Sequence, residues 1–180
     1  PQAPAVGREL LDIEELEGSN SDDILGGDAQ ANTLYGLLGN DWIDGRTGTD
    51  TLIGSEGNDT LVGGEGRDRL EGGNGIDYAS DETSALAMRI DLLTPTLAGG
   101  DALGDTYIGI EGYILSTLAD SFAGTELAER ALGLAGNDTL SGRGGSDGLF
   151  GGLGNDALYG GDGDDTLTAG AGFDRLEGGL

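Results

Sequence analysis

Twelve aspartates fall on two nine-residue grids: Asp23, Asp41, Asp50, Asp59, Asp68 and Asp77, then Asp120, Asp138, Asp147, Asp156, Asp165 and Asp174. Carboxylates at fixed spacing suit two kinds of chemistry. A pair about 5–9.5 Å apart supports acid–base cleavage of a glycosidic bond. Oxygens that converge on one point hold a hard divalent cation. Catalysis needs one pair set apart by its surroundings, whereas here the pair is the repeat itself, copied along the chain. The spacing points to cation ligation and not to an enzyme. The chain has no histidine or cysteine, so zinc, iron–sulfur and blue-copper centres lack their ligands.

The elements that position these aspartates are nonapeptides. From Gly18 to Ser80 the chain divides into seven without an insertion: GSNSDDILG, GDAQANTLY, GLLGNDWID, GRTGTDTLI, GSEGNDTLV, GGEGRDRLE and GGNGIDYAS. Seven more run from Leu115 to Glu177: LSTLADSFA, GTELAERAL, GLAGNDTLS, GRGGSDGLF, GGLGNDALY, GGDGDDTLT and AGAGFDRLE. Over these 14 repeats, position 1 is Gly in 12, position 4 is Gly in 10, position 6 is Asp in 12 and position 8 is a large apolar residue in 12. Such register is the mark of a solenoid or an array.

The arrays are copies of each other. A shift of 97 residues carries Ile13 to Ile110, Asp23 to Asp120 and Asp41 to Asp138, and it carries the off-pattern Asn32 to the off-pattern Glu129. The expected organisation is a lead-in over 1–17, a first array over 18–80, a link with strands of its own over 81–114, and a second array over 115–180. Gly178-Gly179-Leu180 opens a further repeat, which predicts an array that continues in a longer parent chain.

Each nonapeptide has two halves. Positions 1 to 6 predict a turn, where glycines permit positive φ and let carbonyls converge. Positions 7 to 9 predict a short strand whose middle side chain points inward, because side chains alternate faces. That middle column includes Leu25, Leu52, Leu61, Leu70, Leu140 and Leu158. Two repeats make a coil of 18 residues, so each repeat stacks on the next but one, about 4.8 Å away. The expected fold is all-β: a parallel β-roll, a β-helix solenoid in two arrays.

Stacking sets Asp41 beside Asp23 and Asp59, and Asp50 beside Asp68. Bare carboxylates this close repel. A Ca²⁺, which takes 6–8 oxygens from carboxylates and carbonyls, turns the repulsion into a staple. The full pairs are 23/41, 41/59, 59/77 and 50/68, then 120/138, 138/156, 156/174 and 147/165; the weaker 32/50 and 129/147 raise the expectation from eight ions to about ten. Eight such ions would bring the formal net charge from −26 to −10. Asp101, Asp105 and Glu111 in the link offer either a separate site or a solvated loop, and the sequence leaves both open.

Composition agrees. The chain has 34 acidic residues against 8 basic ones, all arginine, and 38 glycines among 180 residues. Such a chain ordinarily stays disordered. One leucine per repeat contributes about 1.5–3 kcal/mol, against ~1–2 kcal/mol of backbone entropy for each of nine residues. Metal binding therefore has to tip the balance. So acidic a chain does not track a phosphate backbone, which excludes nucleic acid as partner. No apolar run approaches the ~20 residues of a membrane span. No stretch reads as a secretory leader. The lack of cysteine suits an extracellular bacterial protein that does without disulfides.

The pattern GGxGxDxUx resembles the repeat of the RTX (hemolysin-type calcium-binding) family, and that repeat is itself a known signature. The resemblance covers 126 of the 180 residues, and Gly99–Ile114 is similar to the lead-in segments that precede such blocks. It implies a parallel β-roll with Ca²⁺ held by position-6 aspartates and by loop carbonyls of two stacked turns. The turn glycines in those loops are Gly36, Gly39, Gly45, Gly54, Gly57, Gly66 and Gly75, then Gly133, Gly136, Gly142, Gly151, Gly154, Gly163 and Gly172. At one site the implied ligands are Asp41 and Asp59 with carbonyls around Gly36, Leu38, Ser55 and Gly57. The resemblance further implies export by a type I secretion system, an extracellular or cell-surface location, and folding outside the cell beside a passenger domain. Alternative roles are a polysaccharide-binding module, with the outward Tyr35, Trp42, Phe150 and Tyr159 as platforms, and a spacer in an adhesin. Leu115, Leu118 and Leu127 depart from the family's turn glycines at the start of the second array.

Overall fold

The computed structural model describes residues 8–9, 14–94 and 99–180. Most of the lead-in, Ile13 included, lies outside them. The chain divides into two units. One comprises the residues up to Ser80 together with Gly104–Glu111, and the other comprises Asp81–Leu103 with Gly112–Leu180. The link is thus shared between the two.

In the first unit, one parallel sheet joins β1 (Arg8–Glu9), β3 (Ile24–Gly26), β5 (Trp42–Asp44), β8 (Thr60–Val62) and β11 (Tyr78–Ser80). The other joins β2 (Glu15–Glu17), β4 (Thr33–Leu38), β7 (Thr51–Glu56), β10 (Arg69–Asn74) and β13 (Thr106–Ile108), and the short β6 (Thr47–Gly48) and β9 (Glu65–Gly66) pair with each other. Odd repeats supply one side and even repeats the other. The register is the 18-residue coil: Ile43 pairs with Leu61, and Leu34 with Leu52. The last step of the second sheet differs, since Leu70 pairs with Tyr107 of the link.

The second unit repeats the plan. One side joins β14 (Gly112–Ile114), β16 (Arg130–Leu132), β18 (Gly148–Leu153) and β20 (Thr166–Ala171). The other joins β12 (Arg89–Asp91), β15 (Ser121–Ala123), β17 (Thr139–Gly144), β19 (Ala157–Asp162) and β21 (Arg175–Gly179). All of these pairings are parallel, and apart from a 3₁₀ turn at Gly100–Ala102 the described residues contain no helix. The fold is an all-β parallel solenoid.

The position-8 column forms the core of both units. Leu25, Leu34, Ile43, Leu52, Leu61 and Leu70 are buried in the first, and Phe122, Leu140, Leu149 and Leu158 in the second. Where position 8 shrinks to Ala79 or Ala131 the column stays buried. It opens at Leu167, half-buried, and Leu176, exposed. One expectation is refined. Several strands run six residues, from position 7 through position 3 of the next repeat, so half of the expected turn is extended chain paired to the adjacent coil.

Candidate metal centres in the turns

Beyond the opening repeats, each position-6 aspartate uses its two oxygens differently. Oδ1 looks back one coil and accepts the amide of the aspartate below it. Asp23 N donates to Asp41 Oδ1 at 2.8 Å, Asp41 N to Asp59 Oδ1 at 2.8 Å and Asp59 N to Asp77 Oδ1 at 2.8 Å. On the opposite side the ladder runs from Asn32 to Asp50 to Asp68. In the second unit it runs from Asp120 through Asp138 and Asp156 to Asp174, and from Glu129 through Asp147 to Asp165. A carboxylate that accepts a backbone amide is a charge-assisted tie, stronger than a neutral hydrogen bond.

The other oxygen has no such partner. Oδ2 of Asp41, Asp50, Asp59, Asp68, Asp77, Asp138, Asp147, Asp156 and Asp165 is buried and accepts no hydrogen bond. Its neighbours are acceptors as well. A Cβ placed on Gly45 would stand 2.6 Å from Asp50 Oδ2 and 2.9 Å from the carbonyl oxygen of Gly63 in the next coil. The same cradle recurs at Gly36, Gly54, Gly133, Gly142, Gly151 and Gly160, which makes seven gaps between nonapeptides. Position 1 is glycine because a carboxylate oxygen and a carbonyl oxygen occupy the space of its side chain.

A buried carboxylate oxygen facing a carbonyl has no donor to satisfy it, which costs free energy unless a cation or proton enters. Burial pushes the carboxyls of Asp41, Asp50 and Asp147 up to about 6 and that of Asp138 to about 7. The amide bond from the coil below opposes this, and neighbouring carboxylates reinforce it. Asp59, Asp68 and Asp120 are raised by the same burial. Among the described residues no three carboxylates converge on a point. A cation here would draw on one or two carboxylates and complete its shell with carbonyls, a donor set suited to a hard ion.

The opening repeats of each array are built differently. Asp23 Oδ2 accepts the Ser19 amide at 2.5 Å, and Asn32 Oδ1 accepts the Asp28 amide at 2.7 Å. Asp120 accepts the Ser116 hydroxyl at 2.8 and 2.9 Å, and Glu129 accepts the Thr125 amide and hydroxyl. Their acceptors are satisfied within their own turns. This separates Asp23 and Asp120 from the other position-6 aspartates, a distinction that the Asp column alone does not carry. The signal was the missing glycine at position 4, where Ser21, Gln30, Leu118 and Leu127 stand.

Three of the four carbonyls expected around the 41/59 gap lie against glycines outside it. Those of Gly36, Ser55 and Gly57 lie against Gly18, Gly73 and Gly75, in neighbouring gaps. The 41/59 gap itself receives the Gly54 carbonyl, against Gly36, and the Gly39 carbonyl, against Gly57. Position-4 glycines at Gly39, Gly57, Gly75, Gly136, Gly154, Gly163 and Gly172 have positive φ, and Gly66 is crowded by the carbonyl of Gly48.

Two features escaped sequence reasoning. The amide at position 5 or its equivalent bonds to a side chain 18 residues earlier: Asn40 N to Asp22, Asn58 N to Asn40 and Ile76 N to Asn58, with Asn137 and Asn155 continuing the theme. The recurring Asn at position 5 signalled it. Position 2 is also left-handed, at Leu37 (φ 80°), Arg46 (74°), Ser55 (85°), Leu134 (63°) and Arg143 (73°). A side chain there costs about 1–2 kcal/mol. Leu37→Gly is expected to raise stability by about 1 kcal/mol, the strain relieved less part of the entropy that glycine adds to the unfolded chain. Its urea midpoint in saturating calcium tests this, and a midpoint equal to or below wild type would show that the strain is absorbed elsewhere.

The molecule is thus a parallel β-solenoid whose buried carboxylates meet carbonyl oxygens between successive coils. The family profile of the RTX calcium-binding nonapeptide repeat matches it in four copies, over residues 17–52, 44–79, 124–158 and 159–180, together more than half of the chain. The chain belongs to that family, whose repeats bind calcium. No curated protein shows a significant match.

Proposed function

We propose that this chain is a calcium-gated folding module of a secreted protein. It stays unfolded where calcium is scarce, folds outside the cell and steadies a neighbouring domain. The observation that carries the reading is the set of seven gaps in which a buried, unpartnered Oδ2 faces a carbonyl of the next coil. Each gap opposes the stack when empty of positive charge and ties two coils when filled, so metal binding and folding are one equilibrium. Ligands come from Asp41, Asp50, Asp59, Asp138, Asp147, Asp156 and Asp165, from the next position-6 aspartate in every gap but that of Asp165, and from the turn carbonyls. Family membership and the absence of cysteine support export by a type I system and an extracellular setting.

Far-UV circular dichroism through a Ca²⁺ titration, with Mg²⁺ as control, tests it. A steep coil-to-β transition with Ca²⁺ alone is the expected result. A β spectrum that persists in chelator would sink the gating. Polysaccharide binding draws less support, because two of the four outward rings are already occupied. Arg130 lies 4.4 Å from the Phe150 ring centre, and Arg175 lies 5.4 Å from that of Tyr159.

A further inference from the structure

The link contributes to both stacks of the first unit, and it does so with two carboxylates outside the 14 repeats and out of step with the first array: Asp105, and Glu111, which stands nine residues before Asp120. Asp105 Oδ1 accepts the Asp68 amide at 2.8 Å, and Glu111 Oε2 accepts the Asp77 amide at 3.0 Å. These are the bonds that position-6 aspartates accept elsewhere. The two carboxylates therefore extend two different ladders rather than sharing one separate site. Asp101, in the 3₁₀ turn, has no such bond to a ladder amide among those described.

The two extensions differ in what surrounds them. Asp68 Oδ2 has no partner, yet the three atoms nearest a Cβ on Gly63 belong to Asp68 and Leu70, with no link carbonyl among them. At Asp77 the cradle is whole. Asp77 is fully buried with Oδ2 unpartnered. A Cβ on Gly72 would stand 2.5 Å from that oxygen and closer still to the carbonyl oxygen of Gly109. Gly109 thus presents the carbonyl that position 1 of the next repeat presents in the other gaps.

The choice of glutamate follows from register. Elsewhere the carbonyl of a position-6 aspartate accepts the position-7 amide of the next coil, as in Thr60 N to Asp41 O and Tyr78 N to Asp59 O, both 2.8 Å. At the last step Asp77 O accepts Glu111 N, at 3.1 Å. The carboxylate-bearing residue has moved into the position-7 place, and the extra methylene lets it reach back to the Asp77 amide. Three residues, Gly109–Glu111, do the work of a six-residue turn.

We propose that Asp77, Glu111 and the Gly109 carbonyl form a further Ca²⁺ site where the link closes on the last repeat of the first array. It rests on the calcium reading above and adds an eighth ion to the seven gaps between repeats.

Native mass spectrometry at saturating Ca²⁺ counts the ions. Wild type is expected to hold eight, and Glu111→Gln and Gly72→Ala seven each, while Asp101→Asn keeps eight. Equal counts in wild type, Glu111→Gln and Gly72→Ala would overturn the site and leave calcium binding intact. A wild type that binds no Ca²⁺ would instead remove the calcium reading itself. Because either variant at the site risks misfolding, anomalous scattering from wild-type crystals grown with Tb³⁺ gives an independent test. A peak between Asp77 Oδ2 and the Gly109 carbonyl is expected, and peaks confined to the repeat gaps would overturn the proposal.

Discussion

Alanine at Gly54 is expected to remove about 3 kcal/mol of stability in saturating calcium, the upper end of the cost of overpacking. Its methyl would stand 2.7 Å from the Gly72 carbonyl oxygen and closer still to Asp59 Oδ2. The carbonyl belongs to backbone held in the next coil, so it cannot swing aside as a side chain would. The methyl also fills the space in which those two oxygens meet, so the cation is lost with the packing. Gly178→Ala is the matched control, because a Cβ there meets nothing within 4 Å. Its effect is expected to stay within about 0.5 kcal/mol. Equal urea midpoints for the two variants would show that position 1 is not glycine for the reason given.

Acid is expected to replace calcium in part. A carboxyl whose folded pKa lies above its ordinary 3.8 stabilises the fold fully below that value. The contribution drains away as pH rises through the folded value. Asp41, Asp50, Asp77 and Asp147 have folded values of about 6, and Asp138 about 7, with burial the main cause. A protonated Oδ2 becomes a donor and satisfies the carbonyl it faces. The calcium-free chain should therefore gain β structure between pH 7.5 and 4.5 and lose it on return. Calcium must expel the same protons, so binding should release more of them at pH 6 than at pH 8. Calorimetry in buffers of different ionisation enthalpy reads that release. A calcium-free chain equally unfolded at both pH values, with no protons released, would count against the buried-carboxylate account.

The period of nine made the solenoid and its core legible, because Leu52 or Leu140 every ninth residue has one consistent place to go. The aspartate column was legible for the same reason. What the column could not carry was the division of labour between Oδ1 and Oδ2, since it depends on where neighbouring carbonyls lie. Position 2 was hidden because Leu37, Arg46 and Ser55 accept a strained backbone that glycine would have advertised. Glu111 was hidden because it is out of step with the first array, although nine residues before Asp120, and its role appears only once Asp77 and Gly109 are seen around it. Asp23 and Asp120 look like any other position-6 aspartate until Ser19 and Ser116 are found bonded to them.

The ties along each ladder of repeats join residues 18 apart in the chain. Under load, the ties of one interface share the force, while successive interfaces bear it one after another. A coil that lets go releases about 60 Å of slack, at ~3.3–3.6 Å per residue, and leaves the coils behind it holding the same grip as before. Such a tether yields by lengthening in steps rather than by failing at once.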